Sequence, residues 1–227
     1  MSLLKYNRIP EPELMEGKEQ VLAYSEADFA LPHSMIIQAL KNQLNPRFHP
    51  DLILDLGAGS GDMTYRLFET FPTSKIYAVD GSEEMLTSNR NYFQKKNSNA
   101  NIVWENYKIQ DWIPESGFDL IFSNSLLHHL TDPYDFWAAI QRSTYEESFI
   151  FIADLLRPDS FEEVDHLTQK YAKEEKQILK EDFYNSLCAA YTLEELQTML
   201  SKLRLNGKLH LEVISDRHWI CYSRLSS

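Results

Sequence analysis

Hydrophobic positions in the first part of the chain recur at helical spacing. One group surrounds Val21 and Leu22, a second runs from Met35 to Leu44, and Pro32 lies between them. Proline removes a backbone donor and interrupts helices, so the pattern predicts two helices that are separated at Pro32. We predict that residues 1–48 form an N-terminal helical cap.

Short apolar runs then alternate with amphipathic segments. Five runs have the length and composition of strands, namely "DLILDL", "KIYAVD", "NIVWEN", "FDLIFSN" and "SFIFIAD". Ser82 and Asp132 are predicted N-caps of two intervening helices, and Pro133 suits the first helical position of the second. Apolar strands that alternate with helices predict a parallel sheet covered on both faces.

This alternation stops after the fifth strand. Residues 155–191 are charged and helical in period, which predicts a helical insertion, and "TLEE" predicts a capping box between Thr192 and Glu195. "KLHLEVIS" and "HWICYSRL" predict a terminal hairpin. The predicted fold class is α/β, with a doubly wound, mostly parallel, seven-stranded sheet in residues 49–227, a C-terminal antiparallel hairpin and helical lid additions.

Charge and composition restrict the partners. The chain has 22 Lys and Arg against 34 Asp and Glu, a formal net charge of -12, with no basic run, which argues against nucleic acid and an anionic membrane surface. No apolar stretch has the length of a membrane span, and the N-terminus lacks the apolar core of a signal peptide. Cys188 and Cys221 lie far apart without partners at metal-ligand spacing. We therefore expect a cytoplasmic protein without metal ligands.

A glycine-rich loop, "LDLGAGSGD", follows the first strand. It contains three glycines that allow a sharp turn and close approach to a ligand: Gly57, Gly59 and Gly61. The spacing differs from the G-x-G-x-x-G of dinucleotide-binding proteins, because Asp62 takes the place of the third glycine. Asp55 and Asp62 place negative charge where a pyrophosphate would lie, which favours a phosphate-free or cationic ligand. The alternative is a purely structural turn.

Two further segments fit a nucleoside. Asp80 ends the second strand, where a carboxylate can accept hydrogen bonds from both ribose hydroxyls, although it can also cap a helix. After the third strand, Asp111 suits an exocyclic amine of a purine and Trp112 suits stacking on it, with Met85 on the other side. Core packing is the alternative for Trp112.

Four motifs together resemble the class I S-adenosylmethionine-dependent methyltransferases. They are "LDLGAGSGD", "VDGSEEML", "QDW" and "FDLIFSNSLLHHLTDP". The resemblance covers residues 50–154, and the terminal hairpin by topology. One departure is "YEESF", where many members have a proline-glycine-glycine turn before the fifth strand; it bears on the subfamily more than on cofactor binding.

This resemblance implies S-adenosylmethionine as cofactor and S-adenosylhomocysteine as product. The implied cofactor-binding residues are Asp55, Gly57, Gly59, Gly61, Asp80, Gly81, Met85, Asp111, Trp112, Ser123 and Asn124. By the same resemblance, Asp80 binds the ribose, Asp111 the adenine amine, and the backbone around Ser123 and Asn124 the methionyl ammonium. An acidic pocket then matches a ligand that carries a sulfonium and an ammonium.

Three residues are candidates for catalysis. Methyl transfer is an in-line displacement, so a base is needed only when the acceptor must lose a proton. His128 and His129 follow the fourth strand and Asp154 ends the fifth, near the expected methyl position. The alternatives are local packing of a histidine ring, and a cap or a partnership with Arg157 for Asp154.

The predicted function is methyl transfer to a small-molecule acceptor. Aromatic residues in the insertion at 155–191 suggest a partly apolar acceptor, and a homodimer is compatible with the sequence. Two alternatives stay open. One is an enzyme of the same fold that acts on a macromolecule such as tRNA or protein, or uses the cofactor for other chemistry; the other is a non-catalytic cofactor-binding subunit.

Overall fold

A computed structural model describes residues 6–14, 17–96 and 99–223. A seven-stranded sheet forms the centre of this part of the chain. Its strands are β1 (Leu52–Leu56), β2 (Lys75–Asp80), β3 (Asn101–Asn106), β4 (Leu120–Asn124), β5 (Phe149–Leu155), β6 (Leu209–Val213) and β7 (His218–Ser223). Their order is β3-β2-β1-β4-β5-β7-β6. β1 to β5 are parallel, whereas β7 is antiparallel to β5 and to β6, so the predicted fold class is confirmed.

Helices cover both faces of the sheet. They are α1 (Lys18–Glu26), α2 (Ala30–Gln43), α3 (Asp62–Thr70), α4 (Glu83–Lys95), α5 (Pro133–Ser143), α6 (Phe161–Ala172), α7 (Gln177–Ala189) and α8 (Leu193–Lys202). A 3-10 turn occupies Leu127–His129. None of the helices in the described ranges combines the length and the apolar character that a membrane span requires.

The predicted helix caps agree with the structure, whereas one helix boundary does not. The hydroxyl of Ser82 accepts from the Met85 amide, and the carboxylate of Asp132 accepts from the Tyr134 amide. The capping box at the start of α8 also forms. The break between α1 and α2 lies at residues 27–29, before Pro32, because a proline in the first turn of a helix loses no intrahelical hydrogen bond.

Neighbouring strand residues belong to different cores because side chains alternate across a sheet. On β1, Leu54 joins the core under α5 and α8, whereas Ile53 joins the core under α2 and α3. α2 contributes Ile36 and Leu40 to that second core. The division of the chain at residues 48 and 49 stays a prediction.

The insertion between β5 and α8 consists of α6 and α7, as the helical period predicts. A small core of its own includes Val164, Leu167 and Leu187, together with Leu155 at the end of β5. The N-terminal segment lies against this unit, since the Ile9 amide donates to the Cys188 carbonyl at 3.1 Å. The insertion and the N-terminus therefore meet above the carboxyl ends of the central strands.

Candidate active site

A cavity of about 530 Å³ opens at the carboxyl ends of β1, β2 and β4. The glycine loop, Asp80, Met85 and both histidines of the 3-10 turn contribute to its wall. The order of the sheet reverses between β1 and β4, which is where open α/β sheets bind their ligands.

The glycine loop is held against β2 and lines the cavity. The amide of Gly57 donates to the Val79 carbonyl at 2.8 Å. Gly57 has a φ of +78°, and a Cβ there would lie 2.9 Å from the Leu126 side chain, so this glycine is required by packing. Gly59 has a φ of +51°, and a Cβ on it would meet nothing within 4 Å. Gly59 therefore presents bare backbone to the cavity.

Asp80 connects the glycine loop to the start of α4. One carboxylate oxygen accepts from the Gly59 amide and the other from the Ser82 amide, each at 2.8 Å. Each oxygen keeps a further lone pair, so the side chain can still accept from a pair of hydroxyl groups. Gly81 also lines the cavity, and a Cβ on it would lie 2.7 Å from the Leu14 side chain. Asp80, Gly81 and Met85 all line the cavity, and their contact with a cofactor stays a prediction.

Asp55 lies beneath the loop and is almost fully buried. The hydroxyl of Thr64 donates to its carboxylate at 2.6 Å. Burial raises the pKa of Asp55 to about 7; the Thr64 hydrogen bond opposes this rise and the charge of Asp80 adds to it. Asp55 is therefore poised to ionise when a cationic group binds nearby.

We expect Asp55→Asn to change how stability depends on pH. Between about pH 4 and 7 the folded wild type retains a proton that the unfolded chain releases, so ionisation of the unfolded chain lowers wild-type stability as pH rises. The neutral side-chain amide of the variant does not titrate, so the variant does not lose stability in this way. The unfolding free energy of the variant relative to wild type should therefore rise across this window, with a limiting slope of about 1.4 kcal/mol per pH unit. Urea unfolding at stepwise pH measures it, and parallel curves for the two proteins would contradict the assignment.

Asp62 does not add free negative charge to the loop. Burial raises the pKa of Asp62, but contacts with His33 Nδ1 at 2.6 Å and Arg66 Nε at 2.7 Å outweigh it and lower the pKa to about 2. The carboxylate thus holds α2 against α3. The sequence-based expectation that Asp62 contributes to ligand charge is corrected by these partners.

The end of β4 carries an unsatisfied acceptor. Asn124 lines the cavity, and its Oδ1 is buried without a hydrogen-bond partner in the described part of the chain. A buried amide oxygen without a partner suits a donor such as an ammonium group. Ser123 does not line the cavity, because its hydroxyl donates to the Leu56 carbonyl at 2.8 Å and ties β4 to β1.

The predicted adenine contacts at Asp111 and Trp112 require correction. Trp112 is 2% exposed, lies in the core under α5 and donates to the carboxylate of Glu105. Asp111 is exposed to solvent, and neither residue lines the cavity. Their amides both donate to the Lys108 carbonyl, which forms a turn that directs the indole into the core. The preceding residues 107–109 line the cavity instead.

The three catalytic candidates lie together, around a pair of buried side chains. His128 Nδ1 contacts the carboxylate of Asp154, and the His128 amide donates to the same carboxylate at 3.3 Å. Burial lowers the pKa of His128, but the charge and hydrogen bond of Asp154 outweigh it, so the pKa is raised. Arg157 pairs with Glu195 instead of Asp154, at 2.6 Å. Asp154 does not line the cavity, and its contact with it runs through the His128 ring.

Glu11, from the N-terminal segment, completes this cluster and was missed by sequence reasoning. Its Oε1 lies 3.0 Å from His129 Nδ1 and 3.5 Å from His128 Nε2. Arg8 fixes the segment by donating to the carbonyls of His128 and Leu130. No local pattern around Glu11 signals this contact, because it depends on how the N-terminus crosses the fold.

The rest of the cavity wall comes from the N-terminal helices and the insertion. Aromatic and aliphatic side chains dominate it: Tyr24, Phe29, Leu31, Met35, Tyr171, Leu179 and Phe183. Arg217 also lines it, but its guanidinium stacks on the Tyr171 ring at 3.3 Å and contacts Asp216 at 3.2 Å. This region suits a partly apolar ligand.

Known proteins with similar sequences include methyltransferases. The trans-aconitate 2-methyltransferase of Azoarcus sp. (strain BH72) is 34% identical over 80 residues, which are 35% of this chain and 29% of that protein. The enzyme of the same name from Escherichia coli O157:H7 is 31% identical over 90 residues, 40% of this chain and 33% of that protein. The match thus spans about a third of the length of these curated relatives.

Solved structures share the fold over almost the whole chain. The plantazolicin methyltransferase BpumL in complex with SAH superposes with a TM-score of 0.71 at 15% identity, covering 92% of this chain and 90% of that one. A SAM dependent methyltransferase from Aquifex aeolicus gives a TM-score of 0.64 at 14% identity, covering 93% of this chain and 100% of that one. At these identities the likeness concerns the fold.

The family model described as a methyltransferase domain matches residues 51–204, more than half of the chain. That range includes the glycine loop, Asp80 and the 3-10 turn. The chain therefore belongs to the class I S-adenosylmethionine-dependent methyltransferase family.

Proposed function

We propose that the protein transfers the methyl group of S-adenosylmethionine to a small, partly apolar acceptor. The observation that carries the proposal is the alignment, along one cavity, of the bare backbone at Gly59, the Asp80 carboxylate and the unsatisfied Asn124 oxygen. The bare backbone at Gly59 allows a ligand to approach closely, the Asp80 carboxylate can accept from the two hydroxyls of a ribose, and the Asn124 oxygen can accept from an ammonium group. The cofactor, when bound, supplies a methyl carbon activated by its sulfonium.

The side chains contribute positioning and proton control. We assign cofactor binding to the following residues of the cavity and its base: Asp55, Gly57, Gly59, Gly61, Asp80, Gly81, Met85 and Asn124. His128 and His129 face the cavity and hold or move a proton at their ring nitrogens. Asp154 is a positioning residue, because its carboxylate contacts the His128 ring and does not itself line the cavity. The insertion and N-terminal helices exclude water from the acceptor.

The charge of the wall favours a neutral or cationic acceptor. Lys108 and Arg217 are the lysine and arginine among the described lining residues, and Arg217 is already paired. Four carboxylate side chains oppose them: Glu13, Asp28, Asp80 and Glu175. Asp62 is already paired with His33 and Arg66, and burial raises the pKa of Asp55 to about 7, so these two add less negative charge. A substrate with several carboxylates would be repelled by this wall. Trans-aconitate, a tricarboxylate, is the second candidate, favoured by the names of the relatives.

Other functions receive less support. A net charge of -12 disfavours tRNA as substrate. A cavity of about 530 Å³ that reaches both histidines is an argument for catalysis over a purely binding subunit. The homodimer and the cytoplasmic location stay predictions.

A turnover assay distinguishes the acceptor classes. The purified protein is incubated with S-adenosylmethionine and one of three acceptors: trans-aconitate, a neutral phenol or an aromatic amine. We expect S-adenosylhomocysteine to form faster with the phenol or the amine than with trans-aconitate. A preference of tenfold or more for trans-aconitate would overturn the proposed acceptor class. Binding of cofactor without turnover of any wider acceptor panel would favour the binding subunit.

A further inference from the structure

We propose that Glu11, His128 and His129 bind a divalent transition metal ion, with Zn²⁺ as the best match. Each of the three side chains offers one ligand atom, and these atoms lie within 4.8 Å of one another. Two imidazoles and a carboxylate are a ligand set that Zn²⁺ accepts readily, with a fourth position for water or substrate. The site lies at the inner wall of the cavity, since both histidines line it.

The distances suit a tetrahedral ion. Glu11 Oε1 lies 3.5 Å from His128 Nε2 and 3.0 Å from His129 Nδ1. Bonds of about 2.0–2.1 Å at tetrahedral angles place ligand atoms about 3.3 Å apart. The two rings have their centroids 4.2 Å apart, and no two of the three ligand atoms are more than 4.8 Å apart.

Groups behind the ligands orient them as in metal sites. The Asp154 carboxylate contacts His128 Nδ1, so Nε2 is left to face Glu11. The Ser186 hydroxyl donates to Glu11 Oε1 at 3.0 Å. Metal-binding histidines usually donate their other ring nitrogen to a carboxylate or carbonyl, and their carboxylate neighbours are themselves hydrogen-bonded. His128 shows the first feature and Glu11 the second.

The surroundings of His129 Nδ1 agree with this geometry. Its Nδ1 is buried and, despite the short distance to Glu11, is not aligned for a hydrogen bond with any described residue. Its close neighbour Glu11 Oε1 is itself one of the proposed ligands, and a metal ion bound to both atoms would satisfy this nitrogen.

The charges of the cluster also favour a cation. Two buried carboxylates, Glu11 and Asp154, face the imidazoles, and Asp182 lies close enough to Glu11 for their charges to interact. Arg8 opposes them, but its guanidinium is bound to backbone carbonyls. One divalent ion would neutralise the two carboxylates that contact the histidines.

Metal binding would join the segment before α1, which carries Glu11, to the 3-10 turn after β4, which carries both histidines. If methyl transfer is the activity, as proposed above, the ion would also lower the pKa of an acceptor hydroxyl at its open position. The imidazoles would then serve as ligands rather than bases. This second statement rests on the proposed function, whereas binding itself does not.

The test uses tag-free protein from which metal has been removed with a chelator. One sample is titrated with Co²⁺ and monitored by visible absorption spectroscopy, and a second is titrated with Zn²⁺ in a calorimeter. We expect one ion per chain, a tetrahedral-type Co²⁺ spectrum and no comparable binding of Mg²⁺. Glu11→Gln and His129→Ala should each weaken Zn²⁺ binding at least about 100-fold, and Asp154→Asn about 10- to 100-fold. His166→Ala, which removes an exposed histidine of α6, is the matched control and should bind as wild type.

Two outcomes would overturn the proposal. Wild-type protein that binds neither Co²⁺ nor Zn²⁺ would show that the cluster holds only protons. Binding that survives both Glu11→Gln and His129→Ala would place the ion elsewhere. Circular dichroism of each variant excludes unfolding as the cause of a loss. Cofactor titration on the same samples separates this result from a failure of the proposed function.

Discussion

Gly59→Leu is expected to weaken binding of S-adenosylhomocysteine at least about 100-fold, which corresponds to about 2.7 kcal/mol. The reason is spatial: a Cβ at Gly59 meets nothing within 4 Å, so a longer side chain extends into the cavity where the proposed cofactor lies. Calorimetric titration of folded variant and wild type measures the effect.

Gly207→Leu is the matched control for this substitution. Gly207 also has a positive φ, of +84°, and also has nothing within 4 Å of a Cβ, but it does not line the cavity. Both variants should therefore lose a similar free energy of unfolding, about 1–2 kcal/mol, from left-handed backbone strain. Only Gly59→Leu should lose affinity. Equal affinities for the two variants would remove the glycine loop from the cofactor site.

Asp154→Ala is expected to lower the free energy of unfolding by about 3–5 kcal/mol. Asp154 is 1% exposed and His128 is 2% exposed, so removing the carboxylate leaves a buried imidazole without its principal partner. Methyl transfer should fall as well, because His128 loses the group that orients it. Chemical denaturation and initial rates on the folded fraction measure the two effects separately.

Glu26→Ala controls for the loss of a carboxylate as such. Glu26 contacts Lys176 at 2.7 Å, but both side chains are more than half exposed. Exposed ion pairs contribute about 0–1 kcal/mol, so this variant should remain close to wild type in stability and rate. If Asp154→Ala were equally mild, the His128 and Asp154 pair would not organise the site.

Local patterns predicted most of the fold. The apolar runs became β1 to β5, because buried parallel strands require continuous apolar sequence. Ser82 and Asp132 cap helices as expected, since capping depends on atoms only two or three residues away. The break before α2 was misplaced because a proline is tolerated in the first helical turn as well as between helices.

The candidate site was predicted only where it is built from single loops. Gly59 and Asp80 meet because Gly59 follows β1 and Asp80 ends β2, and the strand pattern already indicates that these strands are parallel neighbours. Trp112 was predicted to contact the ligand, but it lies in the core. The sequence around a single tryptophan does not indicate whether its loop directs the indole toward a ligand or toward the core. Glu11 contacts the histidines through tertiary packing of the N-terminal segment. Local residue spacing does not predict a contact of this kind.

The most direct test of the account is a calorimetric titration of wild type and Asp80→Ala with S-adenosylhomocysteine, S-adenosylmethionine and NADH. We expect wild type to bind both adenosyl compounds and not NADH. Asp80→Ala, which removes the acceptors for the ribose and the Gly59 amide, should bind them at least about 100-fold more weakly. Well-folded wild type that binds neither adenosyl compound, or an Asp80→Ala variant that binds both as tightly as wild type, would contradict it.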